Sequence, residues 1–340
     1  MIGISAISAS CANERAHCTR WLQRIDGSAL RRYRAFCSCE TCPTQSGAAD
    51  AHALARIVEF AIRCGADAIV YPGVASEVEQ LTDSERNHLL DAVAGAVRGR
   101  VPLIVGASAA DPEHTMLYLY KASTLGAAAA MVMAPASLAG KPDALIEHYL
   151  RLGSATTVPI MLQNAPPPAG AGFDMAAIAR VVAAVPTVRY VKEEAMPCGQ
   201  RISALLTRPE VASAAHFVGV LGGAGARYIL DELARGALGS MPACELTDIH
   251  VAMVNAWRAG NHGYARSLYN RSLPLLNFQA VFRWAVTKEV LRRRGVIDDA
   301  YVRAPGPRLD AQDHVELATM LDEIADLLGA LAPRKTQAKV

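Results

Sequence analysis

Several things that mark specialised proteins are scarce here. Opposite charges nearly cancel, with 34 Lys+Arg against 32 Asp+Glu. That balance provides no basic field for nucleic acid and no acidic tail. Long apolar runs are missing as well. The most apolar stretch, residues 125–139, is interrupted by Pro135, and a membrane-spanning helix needs roughly 18 unbroken apolar residues. Glu14 and Arg15 come early with no apolar segment of the secretory kind, so a cytoplasmic location is expected. Aromatic residues are few, and Ala, Leu and Val must build the core. At 340 residues the chain has enough apolar material for a large one.

Cysteine is present but unevenly spread. Cys11, Cys18, Cys37, Cys39 and Cys42 crowd the first 42 residues, and Cys64, Cys198 and Cys244 are scattered. Without a secretion signal, disulfides are not expected. The run Cys37-Ser38-Cys39-Glu40-Thr41-Cys42 lacks the second paired knuckle of a zinc site. The histidines show no zinc spacing either, so the expectation is free thiols and no metal.

Residues 1–48 are rich in Ser, Cys and Arg and show no clean period. From residue 49 a regular alternation sets in. Strands are expected at 67–73, 102–108, 129–135, 158–166, 188–194, 216–223 and 237–242. Helices are expected at 51–64, 83–98, 111–125, 143–153, 174–184, 201–206 and 227–235. Apolar strands alternating with helices predict a parallel sheet buried on both faces, and eight such units close a (β/α)8 TIM barrel. The missing first strand is expected within 33–42, an atypical segment for a barrel wall. After residue 243 the alternation stops, and helices at 245–259, 262–275, 278–294 and 310–331 form a C-terminal helical appendage. The divisions are thus a leader at 1–48, the barrel at 49–243, the helical region at 244–332 and a tail at 333–340.

Functional groups in such barrels gather at the C-terminal strand ends. One strand end carries Lys192 in an apolar run. Alternation puts Lys192 and Tyr190 on one face and Arg189, Val191 and Glu193 on the other. An amine facing a dry lumen is costly when charged, and the neutral form is a nucleophile. The same residues equally fit a lysine paired with Glu193 or Glu194. The glycine-rich stretch 221–226 precedes a helix and reads as a barrel rim lining a substrate pocket. Cys198 either borders that site or is a buried inert thiol. Lys288, Arg292, Arg293 and Arg294 form a basic helix face, expected to be solvated or a subunit contact.

Four motifs in order, Gly73-Val-Ala-Ser-Glu77, Gln163-Asn-Ala-Pro166, Tyr190-Val-Lys-Glu-Glu194 and Gly222-Gly223, resemble the dihydrodipicolinate synthase/N-acetylneuraminate lyase family over about residues 49–331. The resemblance implies a class I Schiff-base lyase acting on a small 2-keto acid such as pyruvate. It implies a homo-oligomer, tetramer or dimer, and no cofactor. Lys192 would form the imine. Backbone N–H groups of Gly73, Val74, Ala75 and Ser76 would hold the substrate carboxylate, and Gly222 and Gly223 would line the pocket.

The departures from the family pattern narrow the reaction. Gln163 stands where the synthases have a tyrosine, Ser137 where a second tyrosine comes from a neighbouring subunit, and Pro168 where an arginine binds the second substrate. Dihydrodipicolinate synthesis is therefore not expected. Ser76-Glu77, Gln163-x-Ala165-Pro166 and Lys192-x-Glu194 are similar to the 2-keto-3-deoxy sugar-acid dehydratase branch. Retro-aldol cleavage needs a base for the C4 hydroxyl, which an amide such as Gln163 cannot supply. Elimination needs a proton taken from C3, acidified by the iminium at C2, and water lost from C4; a carboxylate such as Glu194 can serve, unless that residue pairs with Arg201. Gln163 would orient the substrate. The alternatives are a pyruvate-releasing aldolase and a catalytically silent ligand-binding barrel.

Overall fold

The computed structural model describes residues 34–39, 41 and 47–329; the rest of the leader and tail, Cys42 included, lies outside the described residues. Eight parallel strands form one sheet: β1 Arg34–Ser38, β2 Ala68–Tyr71, β3 Leu103–Gly106, β4 Ala129–Met133, β5 Ile160–Asn164, β6 Val188–Glu193, β7 Gly219–Leu221 and β8 Gly239–Ser240. Each pairs with its sequence neighbour from β1 to β7, and β8 lies beside β1. Hydrogen bonds from Leu238 N to Val220 O (2.7 Å) and from Gly222 N to Gly239 O (2.9 Å) join β7 to β8. The first strand falls inside the atypical leader, as expected, and the wall is thinnest across the short strands β7 and β8.

Helices α1 Ala51–Arg63, α2 Asp83–Val97, α3 Pro112–Thr124, α4 Pro142–Ser154, α5 Met175–Ala184, α6 Cys198–Leu206, α7 Pro209–Ala212 and α8 Ile229–Ala234 lie between the strands. Several begin on a side chain that accepts an otherwise orphaned backbone N–H. Asp50 accepts from His52 and Ala53, Thr82 forms a capping box with Glu85, and Asp174 accepts from Ala177. Strand alternation then separates two apolar sets. Ile69, Val105, Val132, Leu162 and Val191 pack outward in the helix-facing core, while Val70, Ile104, Met131, Met161, Tyr190 and Met241 form a smaller inner cluster.

The C-terminal region is helical: α9 Thr247–Arg258, α10 His262–Phe282, α11 Trp284–Arg293 and α12 Ala311–Glu323. The break expected near residues 275–278 is absent. Proline removes one helical hydrogen bond, but Ser272, Leu275 and Leu276 are buried around Pro274 and packing carries α10 across it. The chain turns instead at Arg283, with φ 49° and ψ −119°. The basic face expected to be solvated or a subunit contact is corrected in part: Arg292 is exposed, but the other three cations are buried or half-buried in ion pairs. Lys288 is fully buried and paired with Glu77, and it donates to Tyr301 O at 2.9 Å. Arg292 and Arg293 pair with Glu289, and Arg294 with Asp248. The carboxylates that claim these cations come from the helix itself and from distant segments, so the charge pattern on one helix did not reveal them. Among the described residues no helix is long and apolar enough to cross a membrane.

The Glu77–Lys288 pair ties α11 to the segment after β2. Lys288→Met leaves the Glu77 charge buried and unpaired, a loss of about 3–5 kcal/mol. Chemical denaturation should show the midpoint falling accordingly, and Glu77→Gln added to the same protein should recover much of the loss. An unchanged midpoint in Lys288→Met would refute this role.

Candidate active site

Tyr190 belongs to the inner cluster, so Lys192, two residues on, also points inward. Pairing sets Lys192 beside Gln163 of β5 and Leu221 of β7. Lys192 is 7% exposed, enough to present its amine to a cavity while its stem is packed. Its Nζ lies 3.1 Å from Glu194 Oε1. β6 ends at Glu193, but the Glu194 N–H still donates to Asn164 O at 3.1 Å. That bond keeps Glu194 in register, and its side chain turns inward with Lys192.

Gln163 Nε2 donates to Glu194 Oε2 at 2.6 Å, and the Ala224 N–H reaches Oε1 at 3.4 Å. Burial opposes ionisation of Glu194, yet the Lys192 charge and the Gln163 amide outweigh it and hold the carboxyl below the usual range. Gln163 therefore stands behind Glu194 and does not line the cavity. Glu193 points the other way. It accepts from Asn164 Nδ2 (2.8 Å) and the Ala195 N–H (2.7 Å), and Arg201 Nε lies 3.2 Å from it. Arg201 is thus the partner of Glu193, and Glu194 is left to Lys192. Burial, only partly offset by Asn164 and Arg201, raises the Glu193 carboxyl above its ordinary range.

The cavity occupies about 210 Å³. Gly73, Val74 and Ala75 line it beside Lys192 and Glu194. Val74–Ser76 form a single 3-10 turn, whose first N–H groups have no partner within the turn. Ser76 is wholly buried and does not face the cavity. Its hydroxyl accepts from the Gly73 N–H (3.0 Å) and donates to Cys39 O (2.5 Å), which sets the loop against the segment after β1. Ser137 is exposed on the 3-10 turn Ala136–Leu138 after β4, outside the cavity of this chain.

Gly222 and Gly223 are not on the cavity wall, where Ala224 and Gly225 stand instead. Their small size serves two carboxylates. A Cβ on Gly222 would lie 1.8 Å from Glu232 Oε2, and one on Gly223 would lie 2.4 Å from Glu194 Oε1. Glu232, on α8, is fully buried, and neither oxygen meets a donor at hydrogen-bonding geometry. Burial pushes its carboxyl up to about 7; the Cys198 thiol beside it opposes this and the Glu194 charge adds to it. Cys198 therefore faces Glu232, and burial together with that neighbour pushes its thiol up to about 12, the state of an inert thiol.

Sequence reasoning missed Ser38, at the end of β1, and four residues brought from farther along: Arg227, Gln279, Arg283 and Trp284. The strand-end rule would have found Ser38 had β1 been delimited. The others sit after a short strand or at a helix junction, and nothing in their local pattern marks them. Among the described residues, no group of three or more His, Cys, Asp and Glu could hold a metal ion. Cys37 and Cys39 are buried, with Cys37 Sγ 3.4 Å from Thr247 Oγ1.

An eight-stranded parallel barrel with an inward lysine and carboxylate at its strand ends has the layout of a Schiff-base lyase. The sequence model of the dihydrodipicolinate synthetase family matches residues 34–324, and the chain belongs to that family, whose activity is Schiff-base lyase chemistry on small keto acids. An L-2-keto-3-deoxyarabonate dehydratase of Azospirillum brasilense is 30% identical over 287 residues, 83% of this chain and 91% of that one. A 4-hydroxy-tetrahydrodipicolinate synthase of Streptomyces coelicolor is 30% identical over 299 residues, 86% and 94% of the two. The crystal structure of dihydrodipicolinate synthase from Rhodopseudomonas palustris shares the fold at TM-score 0.80 and 23% identity, covering 86% of this chain and 98% of that one.

Glu232 makes stability depend on pH. Its carboxyl titrates near 7 in the fold against an ordinary value of 4.5. Between those values the folded protein keeps a proton that the unfolded chain has lost. The associated stability is complete below about pH 4.5 and disappears as pH rises through 7, an effect on the order of 3 kcal/mol. Glu245, also pushed up to about 7 by burial, adds a similar slope. Denaturation at pH 5 and pH 8 should show Glu232→Gln losing less stability over this interval than the parent; parallel losses would count against the assignment.

Proposed function

We propose that Lys192 condenses with the C2 ketone of a small 2-keto acid and that Glu194 then removes a proton from C3. The observation that carries this reading is the 3.1 Å separation of the two groups on one cavity wall. Glu194 is placed to accept the proton that Lys192 must lose before it attacks. The amine adds to the carbonyl carbon, Glu194 passes its proton to the hydroxyl that leaves as water, and an iminium remains on Lys192 beside a carboxylate that is ionised again. The iminium acidifies C3. In the dehydratase reading Glu194 takes the C3 proton and hands it to the C4 hydroxyl as the C4–O bond breaks, so that water leaves and the carboxylate is restored. Hydrolysis returns the amine.

The N–H groups of Val74 and Ala75 face the substrate carboxylate in this reading, while the Gly73 N–H stays with the Ser76 hydroxyl. Ser76 braces their loop, Gly222 and Gly223 make room for the carboxylates behind them, and Gln163 aims Glu194. Ser137 takes part only if the chain assembles into the homo-oligomer that the reading includes. A 2-keto-3-deoxy sugar acid is the proposed substrate, because an amide at position 163 offers no base for a C4 hydroxyl. A second reading is carbon–carbon bond chemistry, as in a pyruvate-releasing aldolase. The synthase names among the relatives favour it by number, against the dehydratase name of the Azospirillum protein.

Borohydride in the presence of pyruvate should add the mass of a reduced adduct at Lys192, and Lys192→Ala should abolish it. Glu194→Gln should still trap pyruvate, though more slowly, while turnover falls about 10²–10⁴-fold. Incubation with a 2-keto-3-deoxy sugar acid should yield a dehydrated keto acid. Release of pyruvate would select the second reading. Binding without adduct or turnover would leave only a ligand-binding barrel.

A further inference from the structure

We propose that Arg227 and Arg283 form a second anion-binding subsite at the cavity mouth, so that the substrate is a 2-keto acid with a second negative group at its far end. The proposal rests on the Schiff-base reading of Lys192 and deepens it by naming the substrate class: among 2-keto-3-deoxy sugar acids, those with a second carboxylate or a phosphate at the far end.

Both arginines line the same cavity as Lys192, but they come from unrelated places. Arg227 follows the 3-10 turn after β7, and Arg283 is the junction of α10 and α11. Among the described residues, neither has a carboxylate within ion-pair distance. By contrast, Arg292, Arg293 and Arg294, at the other end of α11, are all paired. Each of the two is held in a way that spares its guanidinium end. Arg227 donates only through Nε, to Ala224 O at 2.9 Å, which leaves its terminal nitrogens for a ligand. Arg283 rests over the Trp284 ring, 4.2 Å from its centroid. Trp284 is in turn anchored by a 2.8 Å bond from its Nε1 to Val74 O, in the loop assigned to the first carboxylate.

The backbone of Arg283 supports the same conclusion. A positive φ of 49° with ψ −119° is a conformation that side-chain-bearing residues rarely adopt, and it persists only where the surroundings enforce it. Here it projects a cation over the mouth.

Charge balance then defines the ligand. The ionisable groups lining the cavity are Lys192, Arg227 and Arg283, against Glu194 alone. A keto acid with one carboxylate would leave one positive charge uncompensated, whereas a dianion neutralises the site. The guanidinium fork matches carboxylate and phosphate alike. A volume of about 210 Å³ limits the ligand to a short chain, below the size of drug-like ligands.

The test uses the full chain and brief borohydride pulses, reading adduct at Lys192 against ligand concentration. The probes are 2-oxoglutarate, 2-oxopentanoate, which carries a methyl in place of the second carboxylate, and 2-oxo-4-phosphonobutanoate. Half-saturation by 2-oxoglutarate or by the phosphonate should come at a concentration at least about tenfold lower than by 2-oxopentanoate. The tighter of the two anions identifies the distal group as carboxylate or phosphate. Arg227→Gln and Arg283→Gln should each bring the ratio toward one, and Arg283→Lys should restore part of it. Equal half-saturation by all three probes in the parent protein overturns the subsite while leaving the imine chemistry intact. No adduct with any probe, pyruvate included, overturns the Schiff-base reading itself.

Discussion

Lys192 and Glu194 are buried together, and much of the surrounding geometry follows from keeping them so. Two unit charges about 3 Å apart attract by roughly 5 kcal/mol at the effective dielectric that suits protein sites. Removing each from water costs several kcal/mol. The pair therefore does little more than break even, and the hydrogen bonds to Glu194 from Gln163 and Ala224 decide the balance. Those bonds require extended backbone through residue 194, an amide at 163 and no side chain at 223. The proposed condensation with a ketone would not upset this arrangement, because an iminium keeps the positive charge beside the carboxylate. A site built on this pair holds its electrostatics while the covalent state of the lysine changes.

The same economy explains the second carboxyl behind the wall. Glu232 lies close enough to Glu194 for the charge on one to disfavour the charge on the other. Glu194 has a cation and two donors; Glu232 has neither an ion-pair partner nor a well-aligned donor. Environment thus separates two glutamates on opposite sides of the Gly222–Gly223 backbone, one held ionised and the other drawn toward the neutral form.

Much of this was legible in the chain before any coordinate. Near-continuous apolar strands at a βα spacing announced a barrel, and a period of two put Lys192 and Tyr190 on one face, which the inner cluster identifies as the lumen side. What escaped detection depended on long-range placement. Arg34–Ser38 reads as a poor strand because its pairing comes from β2 and β8, far off in sequence. The partner of Arg201 turned on a single-residue choice between Glu193 and Glu194, which pleating decides and composition does not. Lys288 looked like one of a row of surface cations until Glu77 met it from more than 200 residues away. Arg283 gave no sign at all, since a positive φ is announced by glycine and here falls on arginine.

The appendage is part of the cavity wall. Two of its contacts fall on the stretch between β2 and α2: Trp284 binds Val74 O, and Lys288 pairs with Glu77 three residues later. The segment assigned to the substrate carboxylate is thereby gripped from the C-terminal side, while Ser76 braces it against the segment after β1. Both anchors lie on α11 just after the α10–α11 junction at Arg283. The reacting end of the cavity is set by strand register, which tolerates little change without moving Lys192. The mouth is set by a helix junction whose exposed side chain can change without disturbing that register. Chemistry and choice of acid therefore rest on separable parts of the fold. On the proposed reading, one barrel could keep a single imine-forming centre while Arg227 and Arg283 select the far end of the acid.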